Sequence, residues 1–185
     1  MGSANGTSGN DRLTGYPGDQ IAGLDGNDTI DASYAPMAID GGCGADEFDN
    51  VSFWNGGGDL LTGGEGRDVY YLNPLANGGG EGGGAALFQI VGEPDVITDF
   101  ESGFGGDVVD LSNFIDSVRN FTDFAYVQNP FTSGVLRLVD DGNGNTLLQI
   151  DPDSAGPDGD WTTVLVFEGT QPGDFTADNF TSSYI

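Results

Sequence analysis

Residues 23–31 read Gly-Leu-Asp-Gly-Asn-Asp-Thr-Ile-Asp, and residues 63–71 read Gly-Gly-Glu-Gly-Arg-Asp-Val-Tyr-Tyr. Both follow the nonapeptide pattern Gly-Gly-x-Gly-x-Asp-x-apolar-x, which recurs through roughly the first seventy residues. The apolar position persists even where the turn is lost: Ile39 follows Ile30 by nine residues, although residues 32–37 contain no glycine and no aspartate. A fixed period of this kind is typical of repeat folds and not of a glycine-rich linker.

The seven copies of the repeat differ in how well they keep the turn. The second copy is one residue short and ends in Asp19, the fourth (residues 32–37) is empty, and the sixth carries four extra residues before Asp59. The odd-numbered copies all keep the aspartate at the sixth position: Asp11, Asp28, Asp46 and Asp68. The apolar residue therefore builds a core in every copy, whereas the odd turns keep a complete binding pattern.

The repeats resemble the calcium-binding nonapeptide repeats of the RTX family, which occur in type I-secreted bacterial proteins. The resemblance covers residues 5–72. It implies an all-β fold, a right-handed parallel β-roll of about seven turns followed by a β-strand-rich capping segment. In such a roll each six-residue turn is followed by a three-residue strand, and successive strands fall in opposite sheets.

The second half of the chain carries longer strand patterns separated by turn residues. Residues 135–139 and 146–150 predict a hairpin, and residues 161–167 predict a third strand. Residues 113–118 predict a short helical turn with Ser112 as its cap. This half is therefore expected to be a small, mainly β structure.

Three blocks of the second half are similar to the segments that follow RTX repeats: Asp99-Phe100, residues 107–112 and residues 174–180. The similarity implies a cap on the roll that contains an uncleaved C-terminal secretion signal. We therefore expect three regions: a calcium-binding roll at 1–72, a glycine-rich excursion at 73–94, and a β-rich cap with the secretion signal at 95–185.

The chemistry of the turns favours calcium (Ca2+). Calcium prefers six to eight oxygen ligands, and glycine lets several backbone carbonyls converge without a Cβ in the way. Two stacked turns, one strand spacing of about 4.8 Å apart, can share an ion. We predict about three ions on the odd-turn side, between copies one and three, three and five, and five and seven, with the other side metal-poor. The candidate ligands are Gly6, Ser8, Asp11, Gly23, Asp25, Gly26, Asp28, Gly41, Cys43, Gly44, Asp46, Gly63, Glu65, Gly66 and Asp68.

Two acidic segments of the second half are further candidates. Asp99 and Asp107, with Glu101, surround a glycine-rich bend at 103–106 and could hold another ion, or form a solvated acidic loop. Asp151, Asp153, Asp158 and Asp160 form a dense acidic turn, which is more typical of an ordinary aspartate-rich turn than of a metal site.

Charge and composition exclude several classes of function. The 185-residue chain has 30 acidic residues, four arginines and no lysine, with a net charge of -26, which rules against nucleic acid and anionic membrane surfaces as partners. It has no histidine, so the usual general base and zinc ligand sets are missing. Cys43 is the single cysteine, cannot form an internal disulfide and has no histidine to activate it. No catalytic motif is found, and we predict that the chain is not an enzyme.

The sequence favours a secreted or cell-surface module exported by the type I secretion apparatus of a Gram-negative cell. Residues 1–7 lack the features of a Sec signal peptide, and no apolar stretch is long enough to span a membrane. The expected function is to fold on calcium outside the cell as part of a larger secreted protein. One alternative is a carbohydrate-binding module, similar to those of alginate epimerases. Only Arg12 and Arg67 lie in the roll, which is little basic surface for an anionic glycan, whereas a neutral glycan could stack on Tyr34, Trp54 or Tyr71. Another alternative is a calcium-dependent surface or adhesin assembly domain.

Overall fold

A computed structural model describes residues 2–33, 36–51, 58–73, 93–121, 129–151 and 161–181. The first strands are β1 (Ser3–Asn5), β2 (Arg12–Thr14), β3 (Gln20–Asp25), β4 (Thr29–Asp31), β5 (Ala38–Cys43), β6 (Glu47–Val51), β7 (Leu60–Glu65), β8 (Val69–Leu72), β9 (Asp95–Ile97) and β10 (Val108–Asp110). Helix α1 (Ser112–Phe121) follows, then β11 (Leu136–Asp140), β12 (Thr146–Ile150), β13 (Thr162–Phe167) and β14 (Phe180–Thr181). Two 3-10 helices, Pro172–Asp174 and Ala177–Asn179, precede β14.

Successive strands of the first half fall alternately into two sheets. Strands β1, β3, β5, β7 and β9 are neighbours in sheet A, and β2, β4, β6, β8 and β10 are neighbours in sheet B. Each of these neighbouring pairs is parallel. The arrangement confirms the predicted all-β parallel β-roll.

The register of the strands places equivalent repeat positions beside one another. Side chains alternate between the two faces of a strand. The apolar residue of each copy lies two positions after the sixth position of the turn, and it therefore points to the same face in every copy. The pairing forms two rows of buried side chains: Ile21, Ile39 and Leu61 in sheet A, and Ile30, Phe48 and Tyr70 in sheet B. These rows belong to one hydrophobic core, which explains why the spacing of nine persists where a turn has lost its glycines.

Three parallel strands of sheet A are longer than the three residues expected from the resemblance. Strands β3, β5 and β7 each contain six residues, because their pairing continues into the odd turns. Leu24 pairs with Gly42, and Asp25 pairs with Cys43. Strands β2 and β4 do have three residues. The odd turns are consequently stacked by backbone pairing as well as by their side chains.

The second half of the chain extends both sheets. Strand β13 pairs in parallel with β9, β12 and β11 continue sheet A as an antiparallel meander, and β14 pairs in parallel with β10 in sheet B. The predicted hairpin and third strand are thus confirmed. Helix α1 begins at Ser112, one residue before the predicted start, and Asp110 Oδ1 accepts the Ser112 N–H at 2.8 Å. The division at 1–72, 73–94 and 95–185 stays a prediction.

A cluster of phenylalanines closes the core where the roll meets the meander. Phe100 lies 4.8 Å from Phe167 and 5.4 Å from Phe175, measured between ring centroids. Phe175 in turn stacks on Phe180 at 5.8 Å. These rings join sheet A, the last turn of the roll and β14, so the two halves of the described chain share one core.

Several sequence predictions fall outside the described residues. They concern Tyr34, Trp54, most of the excursion at 73–94, the acidic turn beyond Asp151, and residues 182–185. In the described part of the chain, no helix has the length and apolar character needed to cross a membrane.

Candidate metal centre

A column of aspartates runs along the odd turns at the sixth repeat position. The N–H of Asp11 donates to Asp28 Oδ1, and the N–H of Asp28 donates to Asp46 Oδ1, both at 2.8 Å. The N–H of Asp46 donates to Asp68 Oδ1 at 2.8 Å, and that of Asp68 donates to Asp107 Oδ1 at 2.9 Å. One carboxylate oxygen of each aspartate after Asp11 therefore ties neighbouring turns together.

The other carboxylate oxygen of three of these aspartates has no partner. Asp28 Oδ2, Asp46 Oδ2 and Asp68 Oδ2 are buried and accept no hydrogen bond. The three side chains are at most 1% exposed. A buried polar atom without a partner costs about 1–3 kcal/mol, and a charged one costs more. Each of these oxygens therefore requires a proton or a cation.

In the third, fifth and seventh turns, the glycine at the first position faces the partnerless carboxylate oxygen. A Cβ added to Gly41 would lie 2.5 Å from Asp46 Oδ2 and 2.6 Å from the carbonyl oxygen of Gly63 in the next odd turn. A Cβ on Gly23 would collide in the same way with Asp28 Oδ2 and the Gly41 carbonyl oxygen. Carboxylate and carbonyl oxygens thus converge between consecutive odd turns, at a place that only glycine leaves open.

This set of oxygens fits calcium better than a metal held by side chains alone. Calcium accepts carboxylate and backbone carbonyl oxygens together. Among the described residues, no three acidic or thiol side chains come close enough to hold a metal by themselves. Backbone carbonyls would have to complete the coordination, and the glycine-rich turns bring such carbonyls beside Asp28 Oδ2 and Asp46 Oδ2.

Burial changes the acidity of the aspartate column. It raises the pKa of Asp68 to about 7, and repulsion from Asp107, Asp46 and Asp99 adds to the effect. Burial also raises the pKa of Asp46 and of Asp107. Without a cation, the folded chain therefore retains protons on carboxyl groups that would be ionised in the unfolded chain.

The side chains at the third position of the odd turns do not face the buried space beside the aspartate column. Ser8, Asp25, Cys43 and Glu65 are all exposed. The carbonyl of Cys43 accepts the N–H of Gly26 at 2.8 Å, and that of Glu65 accepts the N–H of Gly44 at 2.7 Å. The neighbouring Glu65 carboxylate raises the pKa of the Cys43 thiol, which keeps the thiol protonated. The assignment of these residues as ligands stays a prediction.

The first and fourth positions of the odd turns are closely packed by backbone. A Cβ on Gly6 would collide with the carbonyl oxygen of Gly23. At the fourth position, Gly44 approaches the carbonyl oxygen of Gly26, and Gly66 approaches that of Gly44. All three of these fourth-position glycines have positive φ angles, so both their conformation and their surroundings require glycine.

The even-turn side carries a shorter and less regular column. Asp19 Oδ1 accepts the Gly2 N–H, and its Oδ2 accepts the Tyr16 N–H. Met37 occupies the equivalent position in the empty turn and donates its N–H to Asp59 Oδ1 at 2.6 Å. Asp59 is buried, its Oδ2 has no partner, and burial raises its pKa to about 6. The prediction that this side is metal-poor stays a prediction.

Asp99 and Asp107 lie on the turn that stacks on the seventh repeat, and both carboxylates accept hydrogen bonds from backbone N–H groups. Asp99 accepts the N–H groups of Gly63 and Gly64, one on each oxygen, at 2.9 Å. Asp107 accepts the N–H of Asp68 on Oδ1 and that of Glu101 on Oδ2. Asp107 is thus the fifth member of the aspartate column and not part of a separate acidic loop.

Sequence reasoning missed the position of Asp95 and the column role of Asp107. The Asp59 N–H donates to Asp95 Oδ1 at 2.9 Å, so Asp95 continues the even side. The signal was present in the sequence: Asp95 and Asp107 are each followed two residues later by a buried apolar residue, Ile97 and Val109. This is the Asp-x-apolar spacing of the repeats.

A cleft of about 460 Å³ lies beside the aspartate column, over the ends of strands in sheet B. Asn10, Asn27, Thr29, Glu47 and Arg67 are among the residues that line it. Asn10 and Asn27 stand at the fifth positions of consecutive odd turns. They also connect these turns, because Asn10 Oδ1 accepts the N–H of Asn27 at 3.0 Å. Arg12, the other arginine of the repeats, is paired with Asp49 at 3.3 Å.

The fold and the site together define a parallel β-roll with stacked glycine–aspartate turns. No protein-family model and no curated protein matches the chain. Among solved structures, the AlgE6R2 subunit of the Azotobacter vinelandii mannuronan C5-epimerase is similar at a TM-score of 0.38 and 23% identity, over 97% of this chain and 92% of that one. The AlgE6R3 subunit is similar at a TM-score of 0.35 and 22% identity, over 95% and 80%.

Proposed function

We propose that the chain is a calcium-binding module of the RTX type that folds when calcium binds. The observation that carries this proposal is the row of buried carboxylate oxygens without partners, on Asp28, Asp46 and Asp68. They recur at the sixth position of the repeat. The first-position glycine of the same turn lies so close to them that a Cβ there would collide with the carboxylate oxygen. A purely structural repeat would need only the Oδ1 acceptor of these aspartates, which an uncharged asparagine also provides.

The ligands of each ion would come from two consecutive odd turns. Asp11, Asp28 and Asp46 would supply charge, and the first-position glycine of the following odd turn would supply a carbonyl oxygen in each case. Asp11 differs, because its Oδ2 accepts both the N–H and the hydroxyl of Thr7 at 2.6 and 2.8 Å. A bound ion supplies positive charge that offsets the burial of these carboxylates.

The energetic contribution of calcium is comparable with the stability of a domain. Extracellular calcium modules bind with dissociation constants of roughly 10⁻⁴–10⁻³ M. At a calcium concentration about a hundred times the dissociation constant, each site adds about 2.7 kcal/mol, so three sites add about 8 kcal/mol. Folded domains have about 5–15 kcal/mol in total. Inside a cell, where calcium is scarce, the module would stay largely unfolded.

This dependence suits an extracellular role with export in the unfolded state. We propose that the module belongs to a larger protein secreted by the type I apparatus, and that residues 95–185 carry the secretion signal as well as the cap. Its function is folding and binding, with no catalysis of its own. Secretion of a reporter fused to residues 95–185, and its loss when the last residues are removed, would test the export part.

A second candidate function is glycan binding in the cleft beside the aspartate column. Its lining offers the amides of Asn10 and Asn27 and the guanidinium of Arg67, which are groups that hydrogen-bond to sugar hydroxyls and carboxylates. Binding of neutral and anionic oligosaccharides in saturating calcium, compared between the wild type and Arg67→Ala, would test this candidate. No change on Arg67→Ala would remove the cleft from consideration.

The calcium proposal is tested by counting bound ions. Calorimetric titration of the chain with calcium should show about three ions, and the same titration with magnesium should show little heat because magnesium keeps its own water shell. A chain that binds neither ion at millimolar concentrations would overturn the proposed function.

A further inference from the structure

Tyr70 places a hydroxyl group inside the roll where the other copies have only carbon. Its side chain is fully buried, and its ring stacks on Phe48 at 4.7 Å between centroids. The equivalent residues of the preceding copies in sheet B are Phe48, Ile30 and Leu13. The Tyr70 hydroxyl has no hydrogen-bond partner, so a polar atom is buried there without compensation.

The hydroxyl points to the first-position glycine of the seventh turn. A Cβ on Gly63 would lie 2.7 Å from Tyr70 Oη and would collide with Asp68 Oδ2. Asp68 Oδ2 is itself buried and has no partner. Two oxygens that both require a partner therefore converge on one point, between the seventh turn and the turn at residues 98–107.

This interval differs from the three that precede it. At Gly6, Gly23 and Gly41, the atom that faces the glycine from the next odd turn is a backbone carbonyl oxygen. At Gly63 that place is taken by Tyr70 Oη. The next turn instead contributes Asp99, whose carboxylate accepts the Gly63 and Gly64 N–H groups. The phenol oxygen thus replaces a carbonyl oxygen at the end of the row.

We propose that this interval is a fourth cation site, in which the Tyr70 phenol oxygen and Asp68 Oδ2 are ligands of a calcium ion. The proposal rests on the proposed calcium function and adds to it a site with a side-chain hydroxyl that the repeat pattern does not contain. A neutral phenol oxygen is a hard oxygen donor, as are the carboxylate, carbonyl and water oxygens that usually coordinate calcium. Such an ion would be the missing partner of both oxygens. It would be the last ion of the calcium row, at the place where the roll meets its cap.

Calorimetric titration of Tyr70→Phe against the wild type tests the assignment, with Tyr71→Phe as the matched control. Phenylalanine keeps the ring that stacks on Phe48 and removes only the hydroxyl. Tyr71 is the adjacent, partly exposed residue of β8. We expect Tyr70→Phe to bind one ion fewer in the millimolar range, or to bind one ion about 10- to 100-fold more weakly. Tyr71→Phe should match the wild type.

Terbium luminescence gives a second measurement that a merely structural role would not affect. In the Tyr71→Phe background, excitation of tyrosine should sensitise emission from bound terbium, and adding Tyr70→Phe should remove most of that emission. An unchanged ion count and affinity in Tyr70→Phe would overturn the fourth site while leaving the calcium function standing. If Tyr70→Phe does not fold, absence of sensitised emission in Tyr71→Phe overturns it. A wild type that binds no calcium would overturn both proposals.

Discussion

Three aspartates in the odd turns are in an environment that is unfavourable for a carboxylate without a cation. Asp28, Asp46 and Asp68 each have one oxygen hydrogen-bonded to a backbone N–H and one oxygen with no partner. Burial disfavours the charged form of a carboxyl group, and in Asp68 it raises the pKa to about 7. The repetition of the same arrangement at a spacing of two repeats makes it a property of the repeat and not an accident of one residue.

Asp46 is the aspartate whose replacement tests this arrangement best. Asp46→Asn keeps the shape and the acceptor for the Asp28 N–H but removes the charge. We expect the free energy of unfolding in saturating calcium to fall by about 2.7 kcal/mol, the contribution of one ion at about a hundred times its dissociation constant. Urea unfolding in calcium would measure it.

The control for this variant is Asp116→Asn, which makes the same change on an exposed face of helix α1. It should change the free energy of unfolding by no more than about 0.5 kcal/mol. Equal losses in both variants would mean that net charge, and not the site, explains the effect.

Replacing Gly41 with alanine tests how closely the oxygens pack around a first-position glycine. The Cβ position of Gly41 lies 2.5 Å from Asp46 Oδ2 and 2.6 Å from the Gly63 carbonyl oxygen. Gly41→Ala should therefore cost about 1–3 kcal/mol of stability and raise the calcium concentration needed for folding. Gly173→Ala, at an exposed glycine with nothing within 4 Å of its Cβ position, should leave the calcium midpoint unchanged. A normal midpoint in Gly41→Ala would contradict the close packing.

At the scale of single residues, the sequence predicted the odd-turn aspartates but not what surrounds them. Asp11, Asp28, Asp46 and Asp68 do form one column. Tyr70 was counted as an apolar core residue, because spacing alone does not show where a hydroxyl points. Asp99 was a candidate ligand, yet both of its oxygens bind backbone N–H groups, a use that depends on how the turn at 98–107 stacks.

At the scale of strands and turns, the roll was predicted from the family resemblance that the period of nine carries. The period specifies which residues pair, as in Ile21 with Ile39 and Ile30 with Phe48. The continuation of both sheets through β9 and β10 could not be predicted in the same way, because the residues between β8 and β9 break the period. Only the Asp-x-apolar spacing of Asp95 and Asp107 marks that continuation.

Phe100 connects these elements, and its removal should separate them. It is 4% exposed and contacts the rings of Tyr70, Phe167 and Phe175. Phe100→Ala should cost about 3–5 kcal/mol and should broaden thermal unfolding, because the roll and the meander would no longer share packing. Scanning calorimetry in saturating calcium would measure both effects.

Phe104 provides the matched control in the same turn, since its side chain is 92% exposed. Phe104→Ala should leave the transition temperature and its width close to those of the wild type. If Phe100→Ala also unfolds normally, the shared core described above does not hold the two halves together.

At the scale of the whole molecule, a net charge of -26 opposes compaction. The pKa values of Asp59 and Asp68 rise on folding to about 6 and about 7 from an ordinary value of 3.8. The folded chain therefore binds more protons than the unfolded chain between about pH 4 and pH 7. Stability without calcium is then greatest below pH 4 with respect to these groups, and it is lost as the pH rises through 6 and 7.

We consequently expect acid to replace calcium in part. In chelator, the free energy of unfolding should decrease as the pH is raised from 4 to 7. In saturating calcium the decrease should be smaller, because the ion compensates the ionised carboxylates and competes with their protons. Denaturant unfolding followed by circular dichroism at several pH values would show it. Stability in chelator that rises over this range would contradict the assignment of these buried carboxyl groups.

The most direct test of calcium-dependent folding is a calcium titration followed by far-ultraviolet circular dichroism, with magnesium as the control ion. The account predicts a coil spectrum in chelator at neutral pH that converts cooperatively to a β spectrum near millimolar calcium and does not convert with magnesium. A β spectrum that is the same in chelator and in calcium would contradict it, and the stacked glycine–aspartate turns would then be structural only.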